Sequence, residues 1–239
     1  MNRLLTMVLR NIFVLPGAWI KLCRYARHPE RYDEMEMYRH IRSIMQMAVA
    51  SGNVDLQVYG RENIPQQNGF LLCGNHQGMF DVVALVATYE GPLAAVFKKE
   101  LADTPFIKQI GKCTKSFSMD REDVRQSLTV IQAVTAELKK GRNYLIFPEG
   151  TRSKNGNVMG SFHGGSFRCA VKAKAPIVPF VFVDSFKVLD QKGSKPVTVQ
   201  LHYLPAIPYE EYKDLTTVDI ADLVKTRIQK TLDEHSPTA

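Results

Sequence analysis

Residues 70–81 read Phe70-Leu71-Leu72-Cys73-Gly74-Asn75-His76-Gln77-Gly78-Met79-Phe80-Asp81, an apolar run followed at once by a polar turn. The run 70–73 is short and uncharged, as is typical of a buried strand, and Gly74 marks its end. Residues five apart lie about 140° round a regular helix. His76 and Asp81 can therefore meet only if the histidine lies in the turn and the aspartate in the first turn of a following helix. This stretch predicts a strand, a turn and a helix, which is the unit of an α/β fold.

His76 and Asp81 are a candidate base and its partner. An unperturbed histidine titrates near pH ~6.5, and a carboxylate on its second ring nitrogen fixes the tautomer and stabilises the imidazolium. Ser166 lacks the glycine that closes a nucleophile elbow, and no cysteine lies in a suggestive pattern. The pair therefore predicts a base that activates a hydroxyl carried by the substrate. The alternative for this spacing alone is a surface histidine, an unrelated aspartate and Asn75 as a helix cap.

A second polar cluster follows the apolar run 144–147, which is predicted as another buried strand. The turn after it reads Phe147-Pro148-Glu149-Gly150-Thr151-Arg152-Ser153. Loops at strand ends carry the chemistry of α/β proteins. The guanidinium of Arg152 offers a planar fork of donors suited to a phosphate, and Glu149 is expected to hold that fork or a substrate hydroxyl. A solvated loop is the alternative for this cluster alone.

In their order and separation, the two clusters resemble those of the lysophosphatidic acid acyltransferases (1-acylglycerol-3-phosphate O-acyltransferases), and the chain is identified as a member of that family. The resemblance covers about residues 59–205. It implies that His76 and Asp81 are the catalytic dyad, that Asn75 supports them, and that the second cluster binds the phosphate of the acceptor. The residues that it implies for substrate binding are Lys98, Lys99, Arg121, Glu149, Gly150, Thr151 and Arg152.

Two further blocks belong to the resemblance. The lysine pair of Lys98-Lys99-Glu100-Leu101 recurs between the two main clusters, and residues 176–179 resemble a fourth, largely structural block. The family has a phenylalanine three residues before the arginine of an Asp-Arg pair. Here Ser118 occupies that position, with Phe117 one residue earlier, so that the pair Asp120-Arg121 carries over while the phenylalanine is displaced.

The resemblance implies transfer of a fatty acyl group from a thioester to the free hydroxyl of 1-acylglycerol-3-phosphate, which gives phosphatidic acid. It also implies a coenzyme A or acyl-carrier-protein thioester as the donor, and no acyl-enzyme is expected to form. Backbone amides near Gly78 or Gly150 are candidates for an oxyanion site. The alternatives are a related enzyme that acts on another lysophospholipid or an amino-lipid hydroxyl, a membrane-surface binding protein with a decayed site, and a serine esterase.

The charge and composition favour anionic partners. The 239 residues carry a net charge of +7, and the pI is about 9.2. Lipid headgroups and phosphorylated substrates fit this charge, whereas nucleic acid is not expected, because no nucleic-acid-binding motif is present and the cations are dispersed. The four cysteines stand far apart, which predicts reduced thiols in a cytosolic compartment. No metal or nucleotide cofactor is expected, since no motif for either is found.

Residues 1–52 predict an amphipathic two-helix anchor at a membrane interface. The uncharged run 11–20 covers about 15 Å at ~1.5 Å per residue, half of a ~30 Å hydrocarbon core, so it is too short to span. On one continuous helix the cations Arg3, Arg10, Lys21 and Arg24 lie within roughly 60° of one another, opposite an apolar face. Anionic lipid is therefore an expected partner, at the cytoplasmic face of the cell membrane, with the chain peripheral or monotopic. A secretory signal and a helix that covers the domain's own core are the alternatives.

The second helix of this anchor is predicted from residue 32 to about residue 50. Residues 53–239 are predicted as one α/β acyltransferase domain, a mixed, mostly parallel sheet flanked by helices. Its predicted strands are 54–59, 70–73, 94–97, 116–119, 144–147, 177–183 and 197–204. Its predicted helices are 81–88, 105–110, 123–140, 165–174 and 218–233. Residues 234–239 are expected to fray.

Overall fold

The structure is a computed structural model that describes residues 3–236. Within these residues a seven-stranded sheet has the strand order β1-β7-β6-β2-β5-β3-β4. The strands are β1 (Val54–Tyr59), β2 (Leu71–Gly74), β3 (Leu93–Lys98), β4 (Phe117–Met119), β5 (Asn143–Ile146), β6 (Ile177–Val183) and β7 (Val197–Tyr203). β6 and β7 pair antiparallel, and the other neighbours pair parallel. The predicted mixed, mostly parallel sheet is confirmed.

The central strands are buried on both faces. Every residue of β2, β5 and β6 is buried, which matches their continuous apolar sequence, because helices cover both faces of a parallel sheet. The helices after the first sheet strand are α4 (Phe80–Thr88), α5 (Ile107–Thr114), α6 (Val124–Lys139), α7 (Arg168–Ala173), α8 (Phe186–Leu189), α9 (Tyr209–Tyr212) and α10 (Thr217–His235).

The predicted strands are confirmed to within one residue at each end, and β1 and β6 agree at both ends. The helix predicted at 105–110 starts two residues later and continues to Thr114, and the one predicted at 165–174 begins as the 3₁₀ turn Gly164–Phe167. Helices α8 and α9 were not predicted. Each has four residues, too few for a helical period to appear in the sequence.

The N-terminal segment forms three helices: α1 (Arg3–Arg10), α2 (Leu15–Arg27) and α3 (Glu34–Ser51). α1 and α2 are bent by 91° across the break between them. The prediction of one continuous helix with a single cationic stripe is therefore wrong. Asn11 bonds to the carbonyl of Met7 and to Ser51 Oγ at the break, and Pro16 lies in the first turn of α2, where a missing N–H is tolerated.

Two of the predicted stripe cations are bonded to the protein itself. The Arg3 guanidinium is buried and donates to the carbonyls of Gly52 (2.8 Å) and Lys195 (2.7 Å). Arg10 donates to the carbonyl of Ser51 at 2.9 Å. These bonds dock the polar side of α1 on the turn between α3 and β1, and they leave the apolar side of α1 outward. Among the described residues no single helix is long and apolar enough to cross a membrane, and α1 and α2 meet that test only together, as a bent pair.

α2 and α3 pack as an antiparallel pair, since Tyr25 late in α2 contacts Glu36 early in α3, while Ala18 earlier in α2 contacts His40 later in α3. The turn between them includes the predicted residues 28–30. Buried side chains of all three helices, among them Met7, Leu22 and Ile41, share one hydrophobic core with helix α4 and the sheet. The division of the chain at residue 52 stays a prediction.

Candidate active site

The segments that form the site all leave the same edge of the sheet. β2 pairs parallel with both β5 and β6, so the carboxyl ends of the three strands lie side by side. In α/β proteins ligands bind at this edge. The turn with His76 follows β2, the loop 147–163 follows β5, and the corner with Asp184 and Ser185 leads from β6 into α8. Neighbouring strand ends therefore bring together segments far apart in sequence.

The predicted dyad is formed. His76 lies in the turn after β2, Asp81 lies in the first turn of α4, and His76 Nδ1 is 2.7 Å from Asp81 Oδ2. The side chain of Asp81 is fully buried, and that of His76 is 17% exposed. Asp81 Oδ2 also accepts from the backbone N–H groups of Gln77 (2.7 Å) and Gly78 (3.0 Å). With Nδ1 held by the carboxylate, Nε2 is the ring nitrogen that can accept a substrate proton.

Asn75 supports the dyad by extending the sheet, and it is not a helix cap. Its side-chain amide donates to the carbonyl of Phe182 at 2.9 Å and accepts from the N–H of the same residue at 2.8 Å. These two bonds continue the pairing of β2 with β6 by one side chain. They fix where the backbone leaves the sheet immediately before His76.

The ring of His76 stacks on Phe147. The ring centroids are 3.9 Å apart and the planes differ by 15°. Phe147 in turn packs edge-on against the buried ring of Phe180. One face of the imidazole is therefore covered by a fixed aromatic surface, which restricts the rotation of the base.

Glu149 holds the backbone around His76. Its buried carboxylate accepts from the N–H of His76 through Oε1 (2.7 Å) and from that of Gly160 through Oε2 (2.8 Å). Burial raises the pKa of Glu149, and these two amide bonds act in the opposite direction. The N–H of Ser153 donates to the carbonyl of His76 at 2.7 Å. The expectation that Glu149 holds the Arg152 fork is wrong, because the guanidinium binds Asp190 instead. Glu149 holds its own loop and residues 75–79, the turn that carries His76 (the dyad turn).

Gly150 has a left-handed backbone, with φ +70°, which favours glycine. A Cβ at this position would lie 3.4 Å from the ring of His163 and 3.8 Å from Arg121 Nε. The loop thus passes close to Arg121, which comes from the segment after β4. Thr151 is exposed and lines a cavity of about 630 Å³ together with Gln77, Arg152, Phe186 and Asp190.

The four predicted cations differ in whether a carboxylate of the protein already binds them. Arg152 donates to Asp190 Oδ1 at 2.6 Å. Lys98 pairs with Glu100 at 2.8 Å and Lys99 with Asp120 at 3.1 Å, both on the exposed surface. Arg121 makes no hydrogen bond or ion pair with any residue from 3 to 236. Of the four predicted cations, Arg121 is therefore the one whose N–H donors are all available to a ligand.

Four residues that contact these groups were not predicted as site residues: Gln77, Asn157, Ser185 and Asp190. Ser185 follows a buried strand, and this is the same signal that located His76. Asp190 follows a four-residue helix and gave no signal. Its second oxygen accepts from the N–H of Met79 at 2.9 Å, so the partner of Arg152 also holds the dyad turn.

The sequence profile of the Acyltransferase family matches residues 55–183. The chain belongs to this family. The acyltransferase is 30% identical to the 1-acyl-sn-glycerol-3-phosphate acyltransferase of Helicobacter pylori over 166 residues, which are 69% of each protein. It is 31% identical to the enzyme of the same name from Pseudomonas aeruginosa over 184 residues, 76% of this chain and 70% of that one. The predicted family is confirmed.

The fold of the acyltransferase is that of a solved relative. The crystal structure of the 1-acyl-sn-glycerophosphate (LPA) acyltransferase PlsC from Thermotoga maritima matches it with a TM-score of 0.74 at 20% identity, over 97% of this chain and 96% of that one. The similarity includes the N-terminal helices, because it covers nearly the whole length of both chains.

Replacing Glu149 with glutamine tests its positioning role. Glutamine has one acceptor oxygen, so the N–H of either His76 or Gly160 loses its partner and the dyad turn loosens. We expect kcat to fall about tenfold or more, with the KM of the acceptor nearly unchanged. Steady-state kinetics with Glu62→Gln, on an exposed surface turn, provides the control. A raised KM at unchanged kcat would instead indicate that Glu149 contacts the acceptor.

Proposed function

We propose that this acyltransferase esterifies the free hydroxyl of 1-acylglycerol-3-phosphate with a fatty acyl group from a thioester, giving phosphatidic acid. The observation that carries the proposal is the His76–Asp81 pair, 2.7 Å apart, with the imidazole stacked on Phe147 and its backbone held by Glu149. The names of the two bacterial relatives support the choice of acceptor.

In the proposed reaction His76 Nε2 takes the proton of the acceptor hydroxyl while the hydroxyl oxygen attacks the thioester carbon. The tetrahedral intermediate collapses, the carbon–sulfur bond breaks, and the leaving thiolate takes the proton back from the imidazolium. Asp81 stabilises that imidazolium through Nδ1. The hydroxyl of the substrate is itself the nucleophile, so the protein forms no covalent acyl intermediate.

The donor is a thioester of coenzyme A or of an acyl carrier protein. Both are acidic, and the net charge of +7 suits either. Purified protein in detergent, given lysophosphatidate with each donor in turn, decides between them. Lysophospholipids with other headgroups, and amino-lipid hydroxyls, serve as competing acceptors in the same assay.

Removing the base is the direct test of this mechanism. A general base contributes typically ~10²–10⁴-fold, so His76→Ala should lower kcat by at least about two orders of magnitude under saturating substrate. Asp81→Asn should also be severe, because the amide cannot stabilise an imidazolium. Circular dichroism and the melting temperature check that both variants fold. Full activity in either folded variant contradicts the mechanism.

In the proposed complex Arg121 is the main ligand of the acceptor phosphate, and Lys98, Lys99 and Arg152 are the additional cations. A phosphate gains most from a guanidinium that is not already bonded to a carboxylate, and Arg121 has no such bond within the described part of the chain, although Glu100 lies near enough to act on its charge. Arg152 must first break its bond to Asp190 before it can bind the phosphate of the substrate. Arg121 is therefore expected to contribute more to acceptor binding than Arg152.

Kinetics of Arg121→Ala and Arg152→Ala test this order. A charge-assisted bond contributes ~1.5–3 kcal/mol, so Arg121→Ala should raise the KM for lysophosphatidate about tenfold or more, and Arg152→Ala should raise it less. The KM for the thioester should stay unchanged. Lys139→Ala, at the exposed end of α6, controls for the lost charge. Equal effects on both substrates would point to a folding role, and a larger effect at Arg152 would reverse the assignment.

We also propose that the protein works at the cytoplasmic face of the cell membrane, held by its apolar N-terminal surface. This surface is the exposed apolar side chains of α1, the break and α2: Leu4, Leu5, Val8, Leu9, Ile12, Phe13, Val14, Trp19 and Ile20. Phe13 is 97% exposed. Soluble proteins rarely expose a continuous apolar patch without a partner, and a lipid surface suits one that is bordered by the exposed cations Lys21 and Arg24.

Vesicle sedimentation tests this surface. Replacing Phe13 and Ile20 together with serine should weaken binding to anionic vesicles at least about tenfold, since each buried apolar side chain contributes ~1.5–3 kcal/mol. Val124→Ser with Val218→Ser, two exposed valines elsewhere, is the matched control. Trp19 is the only tryptophan, so its emission should shift to the blue when vesicles are added. Sedimentation with unchanged Trp19 emission would place the contact elsewhere.

A further inference from the structure

Ser185 is a fully buried hydroxyl that touches the carboxylate of the dyad. Its Oγ donates to Asp81 Oδ1, the oxygen that does not face His76. Oδ2 is shared by His76 Nδ1 and two backbone N–H groups, so Ser185 is the partner of the other oxygen among residues 3–236. We propose that Ser185 is a positioning residue that acts through Asp81 to set the orientation and proton affinity of His76. This inference rests on the proposed role of His76 as the base.

The position of Ser185 is fixed from the same turn that carries His76. The N–H of Ser185 donates to Gln77 Oε1 at 2.8 Å. The side-chain amide of Gln77, itself buried, donates to the carbonyl of Phe182 at 2.8 Å and to Asn157 Oδ1 at 2.7 Å. Ser185 is thus held at two points, its hydroxyl by Asp81 and its backbone N–H by Gln77, the residue that follows the base.

A left-handed residue places this hydroxyl. Asp184 has φ +64°, a conformation that aspartate adopts more readily than most residues with a Cβ. Two bonds of 3.0 Å to the side chain of Asn157 hold it there, one from its own N–H and one to its carboxylate. The turn at Asp184 directs the chain from β6 across the site. The bonds to Asn157 therefore hold the turn that carries Ser185 to Asp81.

The bond from Ser185 has a definite electrostatic effect. A donor on Oδ1 stabilises the negative charge of Asp81 and so weakens its pull on the proton of His76 Nδ1. Without it, the carboxylate holds the imidazolium more tightly, and the base stays protonated up to a higher pH. The other charged groups around the ring are Glu149, on the loop after β5, and the pair of Arg152 and Asp190 beyond Met79. Ser185 contacts none of these.

The test compares Ser185→Ala and Ser185→Cys with Thr135→Val in the full chain. Cysteine leaves no cavity, because its sulfur is somewhat larger than the oxygen of serine, and it is a weak donor, so it separates the loss of the bond from a cavity. Thr135 is also a buried hydroxyl, bonded to the carbonyl of Ile131 within α6, and serves as the control. Both Ser185 variants should lower kcat/KM about 10- to 100-fold and move the acid limb of its pH profile to higher pH. Thr135→Val should change neither.

Histidine NMR gives a readout that does not require turnover. The imidazole of His76, assigned by its absence in His76→Gln, should titrate at higher pH in both Ser185 variants than in the wild type. An unmoved titration in a folded variant, whatever its activity, overturns the inference, as does activity within about twofold of wild type. If Ser185→Ala does not fold, Ser185→Cys decides. If the wild type transfers no acyl group to lysophosphatidate, the proposed function fails while the NMR titration still tests Ser185.

Discussion

A carboxylate without any exposure to water has to be surrounded by donors, and the active site is built around meeting this requirement for Asp81. Its oxygens receive bonds from the ring of His76, from two amides of the turn after β2, and from Ser185 after β6. The parallel pairing of β2 with β6 brings these donors to one place. The sheet thus serves the site by setting which strand ends are neighbours.

A second buried carboxylate, that of Glu149, contacts a different part of His76 from the one that Asp81 contacts. Asp81 holds the ring of His76, whereas Glu149 holds its main chain. Because Glu149 also binds Gly160, at the far end of its own loop, the loop closes on the dyad turn. In this arrangement the carboxylate of the second cluster holds the backbone of the turn with His76 and of its own loop.

The sequence predicts what depends on local pattern. Buried parallel strands are continuous apolar runs, so their positions were right to within one residue, and the spacing of His76 and Asp81 required the turn-and-helix geometry that the structure has. What it could not predict are partners far apart in the chain: Glu149 lies 73 positions from His76, and Ser185 lies 104 from Asp81. The break after α1 was missed for the same reason, since Arg3 finds its acceptors 49 and 192 positions away.

Asp190 joins two functions in one carboxylate. One oxygen binds Arg152 and the other accepts from the N–H of Met79, in the dyad turn. An anion that takes Arg152 from Asp190 therefore changes the restraint on that turn in the same event. Thermodynamic linkage makes such a coupling reciprocal. If binding of the anion loosens the turn, then ordering of the turn weakens binding of the anion by the same free energy.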